Sequence, residues 1–369
     1  MLETTEVRTD SVRENWRAMV EEYQKPETGK SVWQIINSFV PFVVLWYLMY
    51  LSLDVSYFLT VLLAIPVAGL TFRIFIIQHD CGHGSFFASR KANDVLGSIC
   101  GVVTLTPYFY WRKHHAIHHA NSGKLDDARG IGEIYTMTVQ EYAALPWWKR
   151  LGYRIYRNPF FLFVLVPTLL FTVMYRFYHP FLAKKWKRER NSVIWTDLAI
   201  LALVIVLSLM IGFRQFLLVQ IPITIIASTL GVWFFYVQHQ FEEAYFAQVG
   251  DWEYSDAALH GSSFFKLPKV VQWFSGNIGF HHIHHLSPRI PNYKLEECHE
   301  ENEKLQEVYE ISMISSFRSI PLALWDEESK ELISFRQFKQ MQKEKPAQQK
   351  QSILSVYDPA PKPIQNSDS

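Results

Sequence analysis

Four long apolar stretches divide the chain into two pairs. They cover about residues 33–52, 55–77, 193–212 and 215–237. Each provides the roughly 20 apolar residues that a helix needs to cross a hydrocarbon core of about 30 Å. Short segments, LSLDVS and GFRQ, join the two members of each pair. The pattern predicts an all-α integral membrane protein whose four transmembrane helices form two hairpins.

Two further apolar stretches, at about 94–109 and 159–177, are less regular. The first contains glycines and a proline, and Pro167 interrupts the second. Both residue types weaken a helix, and irregular backbone at membrane depth is tolerated only where protein or a water-filled cavity surrounds it. We therefore expect two membrane-associated segments that do not cross the bilayer.

Ten of the fourteen histidines fall into three clusters, and each cluster follows an apolar stretch. The clusters are HDCGH at 79–83, HHAIHH at 114–119 and HHIHH at 281–285. Histidines that share metal ions must lie on one side of the bilayer, which is why two apolar stretches cannot span. The loop at 176–191 carries six Lys or Arg, and such loops stay in the cytoplasm. The sequence thus predicts a cell-membrane protein with a cytoplasmic histidine-rich cap and cytoplasmic termini.

Composition narrows the alternatives. Lys and Arg number 36 against 35 Asp and Glu, so no basic face indicates a nucleic-acid partner. The three cysteines lack paired spacing, which favours a reducing compartment. We divide the chain into a cytoplasmic N-terminal segment at 1–32, a membrane domain with its cap at 33–342, and a polar, disordered tail at 343–369. The oligomeric state stays open.

Helical spacing selects eight of the clustered histidines. Side chains three or four positions apart share one helix face, so each cluster forms a chelating face. The candidate ligands are His79, His83, His115, His118, His119, His281, His284 and His285. His114 and His282 lie about 100° away from these faces, and we leave them out.

His239 is a ninth candidate, because it ends the last apolar stretch on the side of the clusters, and ionisable residues at membrane depth are usually functional. His179, His260 and His299 lack such a setting. Ligating histidines commonly donate their second ring N–H to a carboxylate or carbonyl. Candidate partners are Asp80, Asp126, Asp127, Glu133, Glu242 and Glu243. Asn277 is a candidate either for holding a metal-bound water or for a structural cap.

The number and type of ligands indicate two metal ions and an oxidation. Eight or more imidazoles exceed what one ion can use. The HExxH motif of zinc hydrolases does not occur in the sequence. A saturated alkyl chain has no proton that a side-chain base removes at neutral pH, so a reaction on lipid needs an oxidant. A pair of iron ions activating O2 would supply it.

The motifs HDCGHGSF, WRKHHAIHHANSG and GNIGFHHIHHLSPRIPNYKL resemble the three histidine boxes of the membrane fatty acyl desaturases. From about residue 30 to 340 the chain is similar to the Bacillus-type acyl-lipid desaturases. The resemblance implies a non-haem di-iron enzyme that uses O2 and two electrons to form a cis double bond in phospholipid acyl chains, with Δ5 as the first position to test. It also implies a role in cold adaptation of membrane fluidity.

The resemblance implies that the eight box histidines are iron ligands and that His239 corresponds to a further ligand of related enzymes. Phe235 stands where animal acyl-CoA desaturases place a water-bridging Asn. The sequence contains neither the HPGG motif of cytochrome b5-like domains nor the GxGxxG motif of dinucleotide-binding domains. We therefore expect electrons to come from a separate protein. In this branch a ferredoxin or flavodoxin is expected.

Two other functions compete with desaturation. A membrane lipid hydroxylase or monooxygenase would share the histidine boxes, and a metal transporter would share histidine-rich loops. A transporter needs ionisable ligands near the middle of several spans, which the four predicted spans lack. The aromatic runs PYFYW at 107–111 and WWKRLGYRIYRNPF at 147–160 fit either interfacial anchors or walls of a substrate tunnel.

Overall fold

The computed structural model describes residues 15–125, 129–178 and 185–344. Helices dominate this part of the chain, and two small sheets lie among the connecting segments. The helices are α1 (Thr28–Ser52), α2 (Tyr57–His83), α3 (Arg90–Val103), α4 (Tyr108–Asn121), α5 (Val139–Ala144), α6 (Trp147–Tyr156), α7 (Val166–Thr172), α8 (Lys187–Ile211), α9 (Phe213–His239), α10 (Tyr254–Leu259), α11 (Lys269–Phe274), α12 (His281–Leu286), α13 (Leu295–Glu301) and α14 (Phe335–Glu344).

Four of these helices, α1, α2, α8 and α9, are long and apolar enough to cross a bilayer. They match the four predicted stretches to within two residues at the start of α2 and one at the end of α8, so the prediction of four spans in two hairpins is confirmed. Helix α2 is central, with 67% of its apolar window buried, whereas α8 lies at the periphery and buries only 6% of its window. Prolines at 41, 66 and 222 lie inside three of the spans, as membrane helices tolerate.

The two irregular stretches do not form long straight helices. Helix α3 has 14 residues and is about 21 Å long, less than the roughly 30 Å of a hydrocarbon core. The second stretch is a π-helical turn at Phe161–Leu165, then α7, then a 3-10 turn at Met174–Arg176. It is bent by 56° relative to α6, the geometry of a broken span or a re-entrant segment.

Short strands tie the cap together. The strands β1 (Met137–Thr138), β4 (Leu322–Asp326) and β5 (Glu331–Ser334) form one sheet in the order β1-β4-β5. The β1–β4 pair is parallel and the β4–β5 pair antiparallel. The strands β2 (Phe264–Lys266) and β3 (Glu310–Ser312) form a parallel pair. Each sheet joins residues far apart in sequence around the ends of α2 and α9.

The chain before α1 packs against the cap. Val20 and Tyr23 are buried in one apolar cluster with Ile283, Leu286 and Leu295, next to the third histidine cluster. The described part of the predicted N-terminal segment therefore helps to hold that cluster in place. The predicted C-terminal tail lies outside the described residues, apart from 343 and 344.

Candidate metal centre

Two of the spanning helices, α2 and α9, each end at a histidine, and both histidines lie at the same end of the molecule. Helix α2 ends at His83, and Gly84 follows in the left-handed conformation with φ 74°, which glycine adopts at little cost. Its N–H donates to the carbonyl of Cys81 at 3.1 Å. Helix α9 ends at His239. Helices α4 and α12 carry the second and third clusters to the same end of the molecule.

The nine predicted histidines lie together and separate into two groups. Within each group, one ring nitrogen from every histidine lies within 4.8 Å of all the others. The five-histidine group consists of His79, His83, His115, His119 and His284. The four-histidine group consists of His118, His239, His281 and His285.

Distances between ring nitrogens fit metal coordination. In the five-histidine group the Nε2 atoms of His119 and His115 are 3.1 Å apart, and those of His119 and His284 are 3.0 Å apart. In the four-histidine group the Nε2 atoms of His239 and His281 are 2.9 Å apart. Two ligands at right angles on one ion, with bonds of about 2.1 Å, have nitrogens about 3 Å apart.

An unsatisfied nitrogen supports the same conclusion. Among the described residues, the buried Nε2 of His83 has no hydrogen-bond partner. A buried polar atom without a partner is costly and calls for an explanation, and a bound cation satisfies it. Each group can therefore hold one metal ion, and imidazole ligands suit iron, zinc, copper and nickel.

Two histidines are oriented through their second ring nitrogen. His79 Nδ1 lies 3.2 Å from Asp80 Oδ1, and Asp80 Oδ2 accepts from the backbone and side-chain nitrogens of Asn292 at 2.6 and 2.8 Å. His239 Nδ1 donates to the Gly261 carbonyl at 3.0 Å. Such bonds fix the tautomer and leave Nε2 for a metal. One group thus has a carboxylate anchor and the other a neutral carbonyl.

Burial keeps six of the candidate ligands neutral. It lowers the pKa of each well below its usual value, and the neighbouring histidines add to the effect. The residues concerned are His115, His118, His119, His281, His284 and His285. Only neutral imidazole binds metal, so the lowered pKa values favour ligation at neutral pH.

The groups differ in exposure. Every side chain of the four-histidine group is buried, whereas His83 and His115 of the five-histidine group are half-buried. The five-histidine group therefore has an edge near the surface, and the four-histidine group is enclosed.

The remaining histidines lie outside both groups. The ring of His114 packs on Tyr110, with centroids 4.6 Å apart. His282 Nε2 lies 3.0 Å from the Leu305 carbonyl, and burial lowers its pKa to about 3. His299 packs on Phe264 at 4.7 Å. His260 also lies outside the groups, and His179 lies outside the described residues.

The other predicted hydrogen-bond partners of the ligand histidines lie in different environments. Glu242 and Glu243 are exposed, and positions 126 and 127 lie outside the described residues. Glu133 lines the large cavity described below. Asn277 accepts from Gln272 Nε2 at 3.1 Å and donates to the Asn292 carbonyl at 3.1 Å. Its amide therefore joins two segments of the cap.

Two aromatic side chains contact ligand candidates. Trp111 stacks on His115 with ring centroids 4.6 Å apart and 16° between the planes. A Cβ atom on Gly82 would lie 3.0 Å from the Trp111 ring, so a larger residue at this position of HDCGH would press against the ring. Phe235 packs 5.1 Å from His118 and 5.1 Å from His239. Trp111 belongs to the aromatic run at 107–111 that could form a tunnel wall, but its stacking on a ligand candidate one helical turn later was not predicted.

A cavity of about 570 Å³ opens between the spans and reaches the histidines. It follows α9 from Gln220 to Gln238, a distance of about 27 Å at 1.5 Å per residue. Most of its wall is aliphatic or aromatic, and its histidine end includes His79, His115 and His281. The cavity therefore touches both groups and can hold a long apolar molecule.

The aromatic run at 107–111 contributes directly to this cavity, because Tyr110 and Trp111 line it. The second run divides between two environments. Tyr156 lines the cavity, whereas Trp147 and Trp148 are 74% and 57% exposed, as expected of interfacial anchors.

The fold and site define a membrane protein with paired histidine groups at the end of an apolar cavity. The family model for fatty acid desaturases matches residues 55–317. A Bacillus subtilis fatty acid desaturase is 50% identical over 317 residues, which are 86% of this chain and 89% of that protein. The chain belongs to the fatty acid desaturase family, whose members are oxidoreductases acting on acyl chains.

More distant relatives act on lipid-bound chains according to their names. The sn-1 oleoyl-lipid 12-desaturase of Synechocystis is 29% identical over 233 residues, covering 61% of this chain and 63% of its own length. The chloroplastic sn-2 acyl-lipid omega-3 desaturase (ferredoxin) of Arabidopsis thaliana is 30% identical over 249 residues, covering 62% of this chain and 51% of its own length.

Proposed function

We propose that this protein forms a cis double bond in saturated acyl chains of membrane phospholipids, using a pair of iron ions held by the nine histidines. One O2, two electrons and two protons enter, the acyl chain loses two hydrogens, and two waters leave. The observation that carries the proposal is the apolar cavity, which begins between the spans and ends at both histidine groups.

An acyl chain fits this cavity better than a polar substrate does. Burying hydrocarbon against its walls is favourable, whereas burying unpaired polar groups is costly. The cavity runs along α9 from Gln220 past Ala227 and Gly231 to Gln238 beside the histidines, about 27 Å in all. A chain can therefore lie along the cavity with one methylene pair beside the histidines.

The position of the histidines at one end of the cavity supports oxidation near the carboxyl end of the chain. The ester must stay near water and headgroups because its carbonyls need hydrogen bonds. The longer, methyl-terminated part then occupies the membrane side of the cavity. Carbons a few bonds from the ester lie at the histidine end, which favours Δ5 over positions near the methyl end.

Iron bound in the two groups would supply the oxidising power by reducing O2. The protein's own residues prepare the site for that chemistry. Asp80 and the Gly261 carbonyl orient His79 and His239, and the rings of Trp111 and Phe235 cover ligand histidines on the cavity side. These apolar walls limit the access of water and hold the chain against the site.

We further propose that the histidines and both termini face the cytoplasm, where a ferredoxin or flavodoxin supplies electrons. The six basic residues at 176–191 support this orientation. A new cis double bond disorders lipid packing, so a role in maintaining membrane fluidity follows from the activity.

Expression in a host whose membrane lipids are fully saturated tests the function. Gas chromatography with localisation of double bonds should detect a monounsaturated chain, with Δ5 expected, and His118→Ala should abolish it. His299→Ala, which alters a histidine outside both groups, is the matched control and should keep the product. Hydroxylated lipid without a double bond would instead establish the alternative, a membrane di-iron lipid hydroxylase.

A further inference from the structure

One edge of the five-histidine group approaches the surface. His83 and His115 are its half-buried members, and Gly84 and Ala116, next to them in sequence, are exposed. The four-histidine group has only buried members. Among the described residues, these two are therefore the most exposed ligand candidates, and His115 also lines the cavity between the spans.

Five basic residues on α3, α4 and α8 define what we call the basic patch, which adjoins this edge through Arg112. They are Arg90, Lys91, Arg112, Lys113 and Arg188. All except Arg112 are exposed, and the side chain of Arg112 is 29% exposed. They come from the start of α3, from α4 one turn before His115, and from the start of α8.

Direct contacts hold the basic patch together. Asp94 lies at its centre and pairs with Arg112 at 2.9 Å and with Arg188 at 2.8 Å. Lys113 Nζ lies 5.7 Å from the centre of the Trp186 ring. Arg90 and Lys91 lie three to four residues before Asp94 on α3 and therefore share its helix face. Three helices thus position the charges.

The basic patch is close to a ligand candidate. A Cβ atom on Gly82, the residue before His83, would lie 3.8 Å from Arg112 Cγ. The local charge stays positive even when Asp94 and Glu189 are included, although the whole chain carries only a net charge of +1. A localised positive field of this kind accelerates and orients binding of an acidic partner.

We infer that the basic patch is the docking surface for a small acidic one-electron iron–sulfur protein, a ferredoxin. This inference rests on the proposed function, because desaturation consumes two electrons per double bond. Two reduced ferredoxins bind in succession, and each is oxidised by one electron. Those electrons, with the two removed from the acyl chain, reduce O2 to two waters. Electrons would enter at the His83–His115 edge of the five-histidine group and pass from there to the four-histidine group.

The name of the Arabidopsis relative, which includes ferredoxin, agrees with this choice of partner. The geometry adds the place of docking. An acidic carrier on the basic patch contacts the protein beside its most exposed ligand candidates and leaves the cavity between the spans open for lipid.

The test measures binding and turnover in lipid nanodiscs. The probe is an oxidised acidic [2Fe–2S] ferredoxin, and the variant is Lys91→Glu/Lys113→Glu, which reverses two exposed charges without touching a histidine. At low salt its Kd should rise at least about tenfold, since close charge pairs at interfaces have coupling energies of about 1.5 kcal/mol or more. The salt dependence of binding should become shallower.

The matched control is Lys339→Glu/Lys343→Glu, an identical charge reversal on exposed positions of α14. It should keep the Kd of the unmodified protein. In turnover with reduced ferredoxin, the patch variant should need more ferredoxin for half-maximal rate and reach the same maximal rate.

Equal Kd values for the patch variant and the unmodified protein would overturn the docking surface, as would an equal loss in the control. Failure of ferredoxin to bind, or tighter binding of flavodoxin to the basic patch, would overturn the partner. If the unmodified protein binds ferredoxin at the patch but forms no double bond, the proposed function fails and the surface stands. If the unmodified protein forms double bonds and the patch variant binds ferredoxin normally, the docking surface fails and the proposed function stands.

Discussion

The two histidine groups have similar ligands but different surroundings. The five-histidine group has a half-buried edge at His83 and His115, while the four-histidine group is enclosed. Both reach the cavity, the first through His79 and the second through His281. On the proposed function, this difference corresponds to a division of roles, in which one group would receive electrons from the surface and the other would work in a water-poor setting.

The groups also differ in how the protein anchors them. Asp80, a buried carboxylate held by Asn292, orients a ligand of the five-histidine group. A backbone carbonyl orients His239 in the other. A carboxylate makes the imidazole more basic and a stronger ligand, and it partly offsets the charge of a metal ion at the exposed edge.

The largest expected effect is loss of a ligand from the enclosed group. His285→Ala leaves three imidazoles, and product formation should fall by more than about 100-fold, beyond the loss that follows removal of a partner behind a ligand. His83→Ala leaves four imidazoles in the other group and should retain more activity. Lipid analysis of cells expressing equal amounts of each variant measures both. Equal losses would remove the functional distinction between the groups.

A smaller effect is expected for the carboxylate anchor. Asp80→Asn keeps the shape but removes the charge, and activity and metal affinity should fall about 10- to 100-fold. The affinity is measured by competition with a chelator, and the loss should fall on one of two bound ions. Unchanged affinity for both ions would show that Asp80 serves only to hold Asn292.

The cavity offers a test of substrate position. Gly231 lines the cavity eight residues before His239, and a Cβ atom there would meet nothing within 4 Å. Gly231→Phe should therefore block the cavity about 12 Å from the end of α9. We expect roughly a tenfold loss for stearoyl chains and a smaller loss for myristoyl chains, read from the chain lengths of the products.

Gly152→Phe is the control for this substitution, since a Cβ atom on Gly152 also meets nothing within 4 Å and the residue lies outside the cavity. An unchanged ratio of stearoyl to myristoyl products in Gly231→Phe would place the methyl end of the substrate elsewhere.

The smallest effect is expected from moderate acid. Burial holds the pKa of His115, His118 and His281 well below the usual value, so these rings stay neutral in the folded protein near pH 6. Metal content should change little between about pH 7.5 and 6.5. Below about 6.5, the histidine pKa in unfolded chains, the unfolded state binds more protons and the folded state loses stability.

Each such histidine then costs up to about 1.4 kcal/mol of unfolding free energy per pH unit. Thermal unfolding of metal-free protein in detergent should show Tm falling as pH drops through 6. A Tm that rises over that range would contradict the neutral, buried histidines.

The length of the apolar runs predicted the spans, and the helical spacing of the histidines predicted the candidate ligands. Four continuous runs predicted the spans because a bilayer demands about 20 apolar residues. Spacing of three and four selected the box histidines, and the structure brings those eight together with His239. The division of the nine histidines into groups of five and four could not be predicted from the sequence, because it depends on how α4 and α12 are placed relative to each other. His118 and His119 are adjacent in sequence yet belong to different groups.

Features formed by distant contacts were also hidden in the sequence. The Gly261 carbonyl meets His239 only because the segment after α9 folds back. The strand pair β1–β4 joins residues 137 and 324, and no local periodicity reveals so short a parallel contact. The stacking of Trp111 on His115 was within reach, since the two lie four residues apart on one helix.

The most direct test of the paired centre is the metal content of protein purified from membranes under reducing, metal-replete conditions. Mass spectrometry of metals with iron Mössbauer spectroscopy should find two irons per chain in the unmodified protein and in His299→Ala. His281→Ala should retain about one, in the five-histidine group. A single iron in the unmodified protein, or zinc in place of iron, would contradict a di-iron desaturase.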